Sequence, residues 1–170
     1  MTEVSTGDSA VEQDRAEIKR VHDEWWEANR EFDVTRMRAC FAGDKILQYN
    51  LNGHTYWSLD ELTQLWETFQ GKFGIPEYET IDLRIEVRGD AAWLTHETVI
   101  RVVVAEGVDL PKGIPAEPFR VRETEVFFRD DGTGKPEWKI WHHHSSPHAP
   151  DDEVRWGFTD TVLSRTAARA

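Results

Sequence analysis

The sequence contains one cysteine, Cys40, among 170 residues. No disulfide can form within the chain, so a reducing compartment is the expected environment. Long apolar runs are equally scarce, because no stretch approaches the roughly 20 apolar residues that a membrane-spanning helix requires. Residues 1–10 have neither a basic start nor an apolar segment, which is unlike a secretory signal. These features predict a cytoplasmic protein that does not enter membranes.

Basic residues are few for a chain of this length. The 20 Lys and Arg residues stand against 32 Asp and Glu residues, and the formal net charge is −12. Because phosphate binding depends on clustered Lys and Arg side chains, this balance argues against a nucleic-acid partner. Aromatic residues are plentiful instead, with 8 Trp and 8 Phe. Such side chains supply enough apolar area for the core of one compact domain.

The first part of the chain has the periodicity of helices. Apolar residues recur at three- and four-residue steps between positions 11 and 32, which predicts an amphipathic helix. Asp33 stands at an N-cap position before a short second helix over residues 34–41. Ser58 and Glu61 form a capping box ahead of a third helix.

The second part consists of β-rich, alternating segments. They cover residues 80–88, 91–104, 119–129 and 138–145, after a candidate strand at residues 45–51. The connection at residues 105–118 is long and rich in proline and glycine, so it is a candidate for the rim of a pocket. Helices followed by an antiparallel meander predict one α+β domain.

We place the boundaries of this domain at residues 11–147. Residues 1–10 carry almost no apolar area and are predicted to be a disordered tail. Residues 148–170 are predicted to be a partly helical extension, which packs on the body because it contains apolar side chains such as Trp156 and Phe158.

The chain closes on the sequence Trp-Lys-Ile-Trp-His-His-His-Ser-Ser-Pro at residues 138–147. With the preceding order of elements, this segment resembles the nuclear transport factor 2-like superfamily, which includes SnoaL-like proteins, ketosteroid isomerases and the association domain of calcium/calmodulin-dependent kinase II. The resemblance implies an α+β cone, in which N-terminal helices pack on a strongly curved antiparallel or mixed sheet. It also implies a pocket between the first and third helices and the sheet, and dimers packed through the sheets. It does not fix the function, because the superfamily includes both enzymes and proteins without chemistry.

The residues that serve catalysis in ketosteroid isomerases are not matched here. Their tyrosine, base aspartate and protonated acid correspond to Trp25, Tyr49 and a position near Thr124. None of these side chains can take the matching role. Tyr49, for example, is a poor base near neutral pH. Isomerase chemistry of that kind is therefore not expected.

The resemblance to the kinase association domain bears on the charge of a ligand. That domain holds a carboxylate with pocket arginines, and the matching positions here are Thr98, Glu125 and Ser145. A neutral or acidic pocket disfavours an anion and favours a neutral or cationic ligand.

Polar residues on the predicted strands suggest an acid–base site. The two-residue period of a strand places His143 on one face with Trp141 and Ser145, and His142 and His144 on the other. A carboxylate beside a histidine orients the ring and raises its pKa, so His143 and Glu125 are the predicted catalytic pair, with Tyr49 and His96 as hydrogen-bonding partners. The alternative is that these histidines are structural or interface residues. The predicted substrate-binding residues are Trp25, Leu62, Trp66, Thr98, Trp141 and Ser145.

The histidine run also raises the question of a metal. His142 and His144 share a face, which is compatible with two ligands of a zinc or copper site. The sequence identifies no third ligand, and sheet packing or a dimer contact explains the pair as well. We therefore predict no metal and no cofactor.

Two functions remain open at this point. The first is a cofactor-independent lyase, isomerase or hydratase that uses general acid–base chemistry on a small, largely apolar, neutral or cationic metabolite. The second is a non-catalytic module for ligand binding or association. In either case we expect a homodimer through an apolar outer face of the sheet. The residues predicted for that face are Val102, Val104, Val121, Ile140 and either His142 or His143.

Overall fold

The structure is a computed structural model and describes residues 6–111 and 114–148. The helices of this part are α1 (Thr6–Glu31), α2 (Val34–Ala39) and α3 (Leu59–Phe69). The strands are β1 (Leu47–Tyr49), β2 (Thr55–Tyr56), β3 (Phe73–Arg88), β4 (Ala91–Val104), β5 (Phe119–Arg129) and β6 (Trp138–Pro147). The predicted extension at residues 148–170 lies outside the described residues except for His148.

Helix α1 begins earlier than the sequence predicted. It starts at Thr6, so residues 6–10 are helical although they were assigned to a disordered tail. Ser9 and Ala10 are exposed, so these two residues continue the helix without packing on the body. Adding residues to an existing helix requires no new nucleation. No helix of the described residues is long and apolar enough to cross a membrane.

The two shorter helices begin at the predicted capping residues. The Asp33 carboxylate accepts a hydrogen bond from the backbone N–H of Arg36 at 3.2 Å, and α2 begins directly after it. The Ser58 hydroxyl oxygen accepts from the N–H of Glu61 at 3.2 Å and starts α3. Each cap satisfies a backbone donor that has no partner within its helix.

The strands form one mixed sheet in the order β2-β1-β6-β5-β4-β3. Strands β3 to β6 are an antiparallel meander, while β1 pairs in parallel with β6. The predicted strands over residues 91–104 and 119–129 are confirmed, whereas β3 extends back to Phe73. Pro76 lies at a register shift on this edge strand, where the missing N–H removes no ladder bond. The sheet curls around the helices without closing, which is the predicted α+β cone.

A bulge in β6 changes the direction of one predicted site residue. Phe127 of β5 faces Ile140 and Val126 faces His142, so Trp141 is an extra residue on β6. The predicted face shared by Trp141 and His143 is therefore wrong. The Trp141 indole N–H instead donates to the backbone oxygen of Asp130 at 2.9 Å, beside the exposed ring of Phe128.

The alternation of buried and exposed residues along the strands corrects part of the predicted dimer surface. Val121 and Ile140 are fully buried and belong to the core between the sheet and α1, not to the outer face. Val102 is partly buried and packs against this core. The outer face instead exposes aromatic side chains, including Tyr49, Trp93 and Phe128.

Candidate functional site

A cavity of about 150 Å³ lies between α1, α3 and the concave face of the sheet. The connection after β4, predicted as a pocket rim, contributes Pro111 and Ile114 to its lining. Most of the other lining residues are aromatic or aliphatic. They are Trp25, Trp26, Phe32, Leu51, Leu65, Trp66, Phe69, Phe73, Ile75, Ile100 and Val102.

Four buried polar side chains from the sheet line the same cavity. They are Gln48 of β1, Glu123 of β5, and His143 and Ser145 of β6. Strand register brings them together, since Gln48 is the parallel partner of His143 and Glu123 is the antiparallel partner of Ser145. Asn29, Asn50 and Asn52 complete the polar lining.

His143 lies in the cavity, as the predicted parity required. Its ring meets Trp25 edge-on, with 5.7 Å between ring centroids. Its Nε2 is 3.6 Å from Oε1 of Glu123, which is an ion-pair distance but longer than a hydrogen bond. Neither ring nitrogen has a hydrogen-bond partner among the described residues. His143 is thus a buried imidazole in the cavity wall whose hydrogen-bonding capacity is not used by the described residues.

The carboxylate nearest to His143 is not the predicted one. Glu125 is the backbone partner of His143 across β5 and β6, but its carboxylate oxygen Oε1 lies 2.9 Å from Nδ1 of His22. Oε1 of Glu125 is also 3.8 Å from Nε2 of His96. Glu123 reaches His143 and His96 with different oxygens, at 3.6 and 3.1 Å. Glu123 therefore connects the cavity to a deeper polar cluster.

His22, His96 and Glu125 form that deeper cluster, which we call the buried triad. Nδ1 of His96 is 2.7 Å from the hydroxyl oxygen of Thr98, and the rings of His22 and His96 meet edge-on at 4.7 Å. The triad residues are almost fully buried and do not line the cavity. Thr98, predicted to bind substrate, instead supports His96 in the core.

The charges of these groups compensate one another. Burial alone would raise the pKa of Glu125, but the attraction of His22 and the other nearby histidines outweighs it and lowers that pKa. Burial would also raise the pKa of Glu123, but His143 and His96 outweigh it and lower that pKa. Burial alone would lower the pKa of His96, yet Glu123 and Glu125 raise it to about 9. At neutral pH the cluster therefore holds two carboxylates and at least one imidazolium.

Tyr49 does not reach the cavity, so its predicted role as a hydrogen-bonding partner is wrong. Its side chain is 43% exposed and lies on the outer face between His142 and His144, at ring-centroid distances of 5.3 and 5.7 Å. The alternation of β1 turns the neighbouring residue Gln48 inward instead. Gln48 now occupies the position that the sequence analysis gave to Tyr49.

The remaining predicted substrate-binding residues divide between cavity and core. Trp25, Trp66 and Ser145 line the cavity, and Trp26, which was not among the predicted residues, joins them. Leu62 is fully buried on α3 but is not a lining residue.

His22 is the main site residue that the sequence analysis missed. The signal was present, because Ile18, His22 and Trp25 follow each other at four- and three-residue steps on the inner stripe of α1. A histidine at a stripe position is a polar residue directed into the core. It needs a partner there, which is Glu125.

The surface pair His142 and His144 gains no third ligand in the structure. Nδ1 of His142 lies 2.8 Å from the backbone oxygen of Leu47. Among the described residues, the groups of three that could hold a metal are His22, His96 and Glu125, and Glu123, Glu125 and His143. Neither group contains His142 or His144.

Comparison with known families identifies the fold family. Residues 18–150 match the model of the SnoaL-like domain. This match covers most of the chain, which therefore belongs to the SnoaL-like domain family, within the nuclear transport factor 2-like superfamily. No curated protein sequence matches the chain.

Solved structures agree with this assignment. A ketosteroid isomerase-like protein from Erwinia carotovora atroseptica is 18% identical, with a TM-score of 0.61 over 79% of this chain and 96% of that protein. A proposed dehydratase of the nuclear transport factor 2-like family from Streptomyces avermitilis is 20% identical, with a TM-score of 0.59 over 85% and 100%. A proposed calcium/calmodulin-dependent kinase II association domain from Exiguobacterium sibiricum is 11% identical, with a TM-score of 0.62 over 89% and 100%. At these identities the likeness shows the fold alone.

Proposed function

We propose that the protein is an acid–base enzyme of the lyase, isomerase or hydratase type. The observation that carries this proposal is the pair His143 and Glu123, in which a buried imidazole and a buried carboxylate line one apolar cavity. The carboxylate replaces the predicted partner Glu125. Water-excluded His–carboxylate pairs are suited to moving a proton to or from a bound molecule.

Each residue of the pair has a distinct role in the proposed step. His143 takes a proton from the ligand or returns one, through a ring nitrogen that has no other described partner. Glu123 stabilises the imidazolium that forms, because its carboxylate stays ionised and lies 3.6 Å away. Gln48 and Ser145, on the same wall, are the side chains proposed to orient a polar atom of the ligand.

The lining also supports a ligand class. None of the described lining residues is Lys or Arg, so nothing on these walls compensates the charge of an anion. Trp25, Trp26 and Trp66 offer aromatic faces that suit a flat apolar ring or an organic cation. Cavities of about 150 Å³ hold a benzene-sized molecule. We propose a neutral or cationic ligand with one buried ring.

A non-catalytic binding module is the second candidate. The 3.6 Å separation between His143 and Glu123 favours it, because the pair is not hydrogen-bonded in the ligand-free protein. Catalytic hydrogen bonds are often long before a substrate is bound, and for that reason we place the enzyme first.

A hydrogen-exchange assay separates the two candidates. The protein is incubated in D₂O with one- and two-ring ketones that have acidic α-hydrogens, such as 2-tetralone, and with benzoate as an anionic control. Binding is followed by tryptophan fluorescence, since three tryptophans line the cavity. We expect at least one ketone to bind and to gain deuterium faster than in buffer, while benzoate does not bind. Binding without exchange across the panel would support the second candidate.

We also propose a homodimer that forms through the outer face of the sheet. This face exposes Tyr49, Trp93 and Phe128, each more than two-fifths accessible in the single chain. Exposed aromatic side chains grouped on one sheet face are typical of a surface covered by a partner.

A further inference from the structure

The buried triad takes no direct part in the proposed proton transfer. His22 comes from α1, His96 from β4 and Glu125 from β5, so three elements distant in sequence converge on one point. No residue of the triad lines the cavity. Burying two histidines and a carboxylate is unfavourable unless each is well paired. The cluster therefore requires an explanation of its own.

The spacing of the triad suits a single metal ion. Ligand atoms of His22, His96 and Glu125 all lie within 4.8 Å of one another. Ligands of a tetrahedral zinc ion, bound at about 2.0–2.2 Å, lie roughly 3.5 Å apart. The separations here, 2.9 Å for His22 to Glu125 and 3.8 Å for His96 to Glu125, fall on either side of that value.

The surroundings of His96 are those of a metal-binding histidine. Its Nδ1 is held at 2.7 Å by the hydroxyl oxygen of Thr98, which orients the ring and leaves Nε2 as the inward atom. Nε2 is buried and has no aligned hydrogen bond to any described residue. Oε2 of Glu125 is likewise buried and has no hydrogen bond to any described residue. Two buried polar atoms, on residues almost inaccessible to solvent, are thus directed into the cluster without an aligned hydrogen bond.

A second buried carboxylate lies beside the triad. Oε2 of Glu123 lies 3.1 Å from Nε2 of His96, although the two are not aligned as a hydrogen bond. The two imidazoles and the carboxylate of the triad suit a zinc-like divalent ion, and Glu123 adds a second buried negative charge beside them. Oε1 of Glu123 would still face His143.

We propose that His22, His96 and Glu125 bind one zinc ion that ties α1 to the sheet. Two buried carboxylates match the double charge of the ion. Because a histidine binds a metal only through a deprotonated ring nitrogen, metal binding at His22 and His96 competes with protonation. The triad is closed to solvent, so we expect the ion to enter when the chain folds. This proposal does not depend on the proposed proton transfer.

Refolding with cobalt tests the site without any enzymatic assay. Protein without a histidine tag is unfolded in guanidinium chloride with a chelator, freed of the chelator, and refolded with Co²⁺ or Zn²⁺. We expect one Co²⁺ per chain, with a visible absorption band that the metal-free protein lacks. At free Zn²⁺ about a hundredfold above Kd, Tm should rise by about 5–10 °C.

Matched variants distinguish this site from a surface site. His22→Gln should abolish stoichiometric Co²⁺ binding, while His144→Gln, at an exposed histidine on the outer face, should retain it. Substoichiometric Co²⁺ in the wild-type protein would overturn the proposal, whether or not the variants fold. Binding lost in His144→Gln but kept in His22→Gln would overturn it as well. A cobalt-loaded protein that exchanges no ketone hydrogen would contradict the proposed function alone.

Discussion

Glu125 offers the sharpest test of the polar network, because it is fully buried and pairs with two histidines. Glu125→Leu preserves bulk but leaves His22 without its hydrogen-bond partner. Removing one member of a buried ion pair costs about 3–5 kcal/mol. Glu125→Gln keeps an acceptor for His22 and loses only the charge, so a smaller loss of about 1.5–3 kcal/mol is expected.

Urea unfolding followed by tryptophan fluorescence measures both losses, with a chelator present so that no metal contributes. The double variant His22→Leu with Glu125→Leu removes both partners of the shortest contact. Its loss of unfolding free energy should be smaller than the sum of the single losses, by about 0.5–3 kcal/mol. An additive double variant, or Glu125→Leu within about 0.5 kcal/mol of wild type, would refute the reasoning.

Three further predictions concern the rest of the molecule. Burial raises the pKa of Cys40 to about 12, so a thiol reagent should label it only after unfolding, and labelling of the native protein would contradict its burial. The Arg129 hydrogen bond lowers the pKa of Asp14 below its unfolded value, so this stabilisation is present at neutral pH and is lost as the pH falls below about 4. Asp14→Asn should lower the unfolding free energy by roughly 1.5 kcal/mol at pH 7 and by progressively less as the pH falls below about 4, and a loss that does not depend on pH would argue against the pair. Light scattering should give a dimer for the wild-type protein and a monomer for Tyr49→Asp, whereas a wild-type monomer would exclude the proposed interface.

The fold could be predicted from the sequence because its local signals agree with its tertiary structure. Strands β4 and β5 alternate regularly, and the Gly89-Asp90 turn joins β4 to β3, so their bounds follow from periodicity alone. The bulge at Trp141 has no such signal. The bulge depends on how β6 pairs with β5. It turns the Trp141 side chain away from the cavity, although the sequence of β6 does not mark this position.

The site was predictable only as far as strand parity determines it. Parity placed His143 inward, as the structure has it, and the same two-residue period puts Glu123 and Glu125 on one face of β5. It could not decide which carboxylate lies beside His143, because that depends on His22 drawing Glu125 toward α1. The contact joins residues 103 positions apart, on a helix and a strand. A contact between residues so far apart in the chain produces no periodic pattern in either segment, so the sequence could not predict it.

The central claim, that His143 moves a proton on a bound ligand, is tested most directly by one comparison of rates. Deuterium incorporation into the fastest-exchanging ketone is measured by mass spectrometry for wild type, His143→Gln and His144→Gln. General acid–base groups contribute roughly 100- to 10,000-fold. We predict a loss of that size for His143→Gln and a wild-type rate for His144→Gln, whose side chain lies on the outer face. Exchange by His143→Gln at the wild-type rate, with ketone binding intact, would contradict the account.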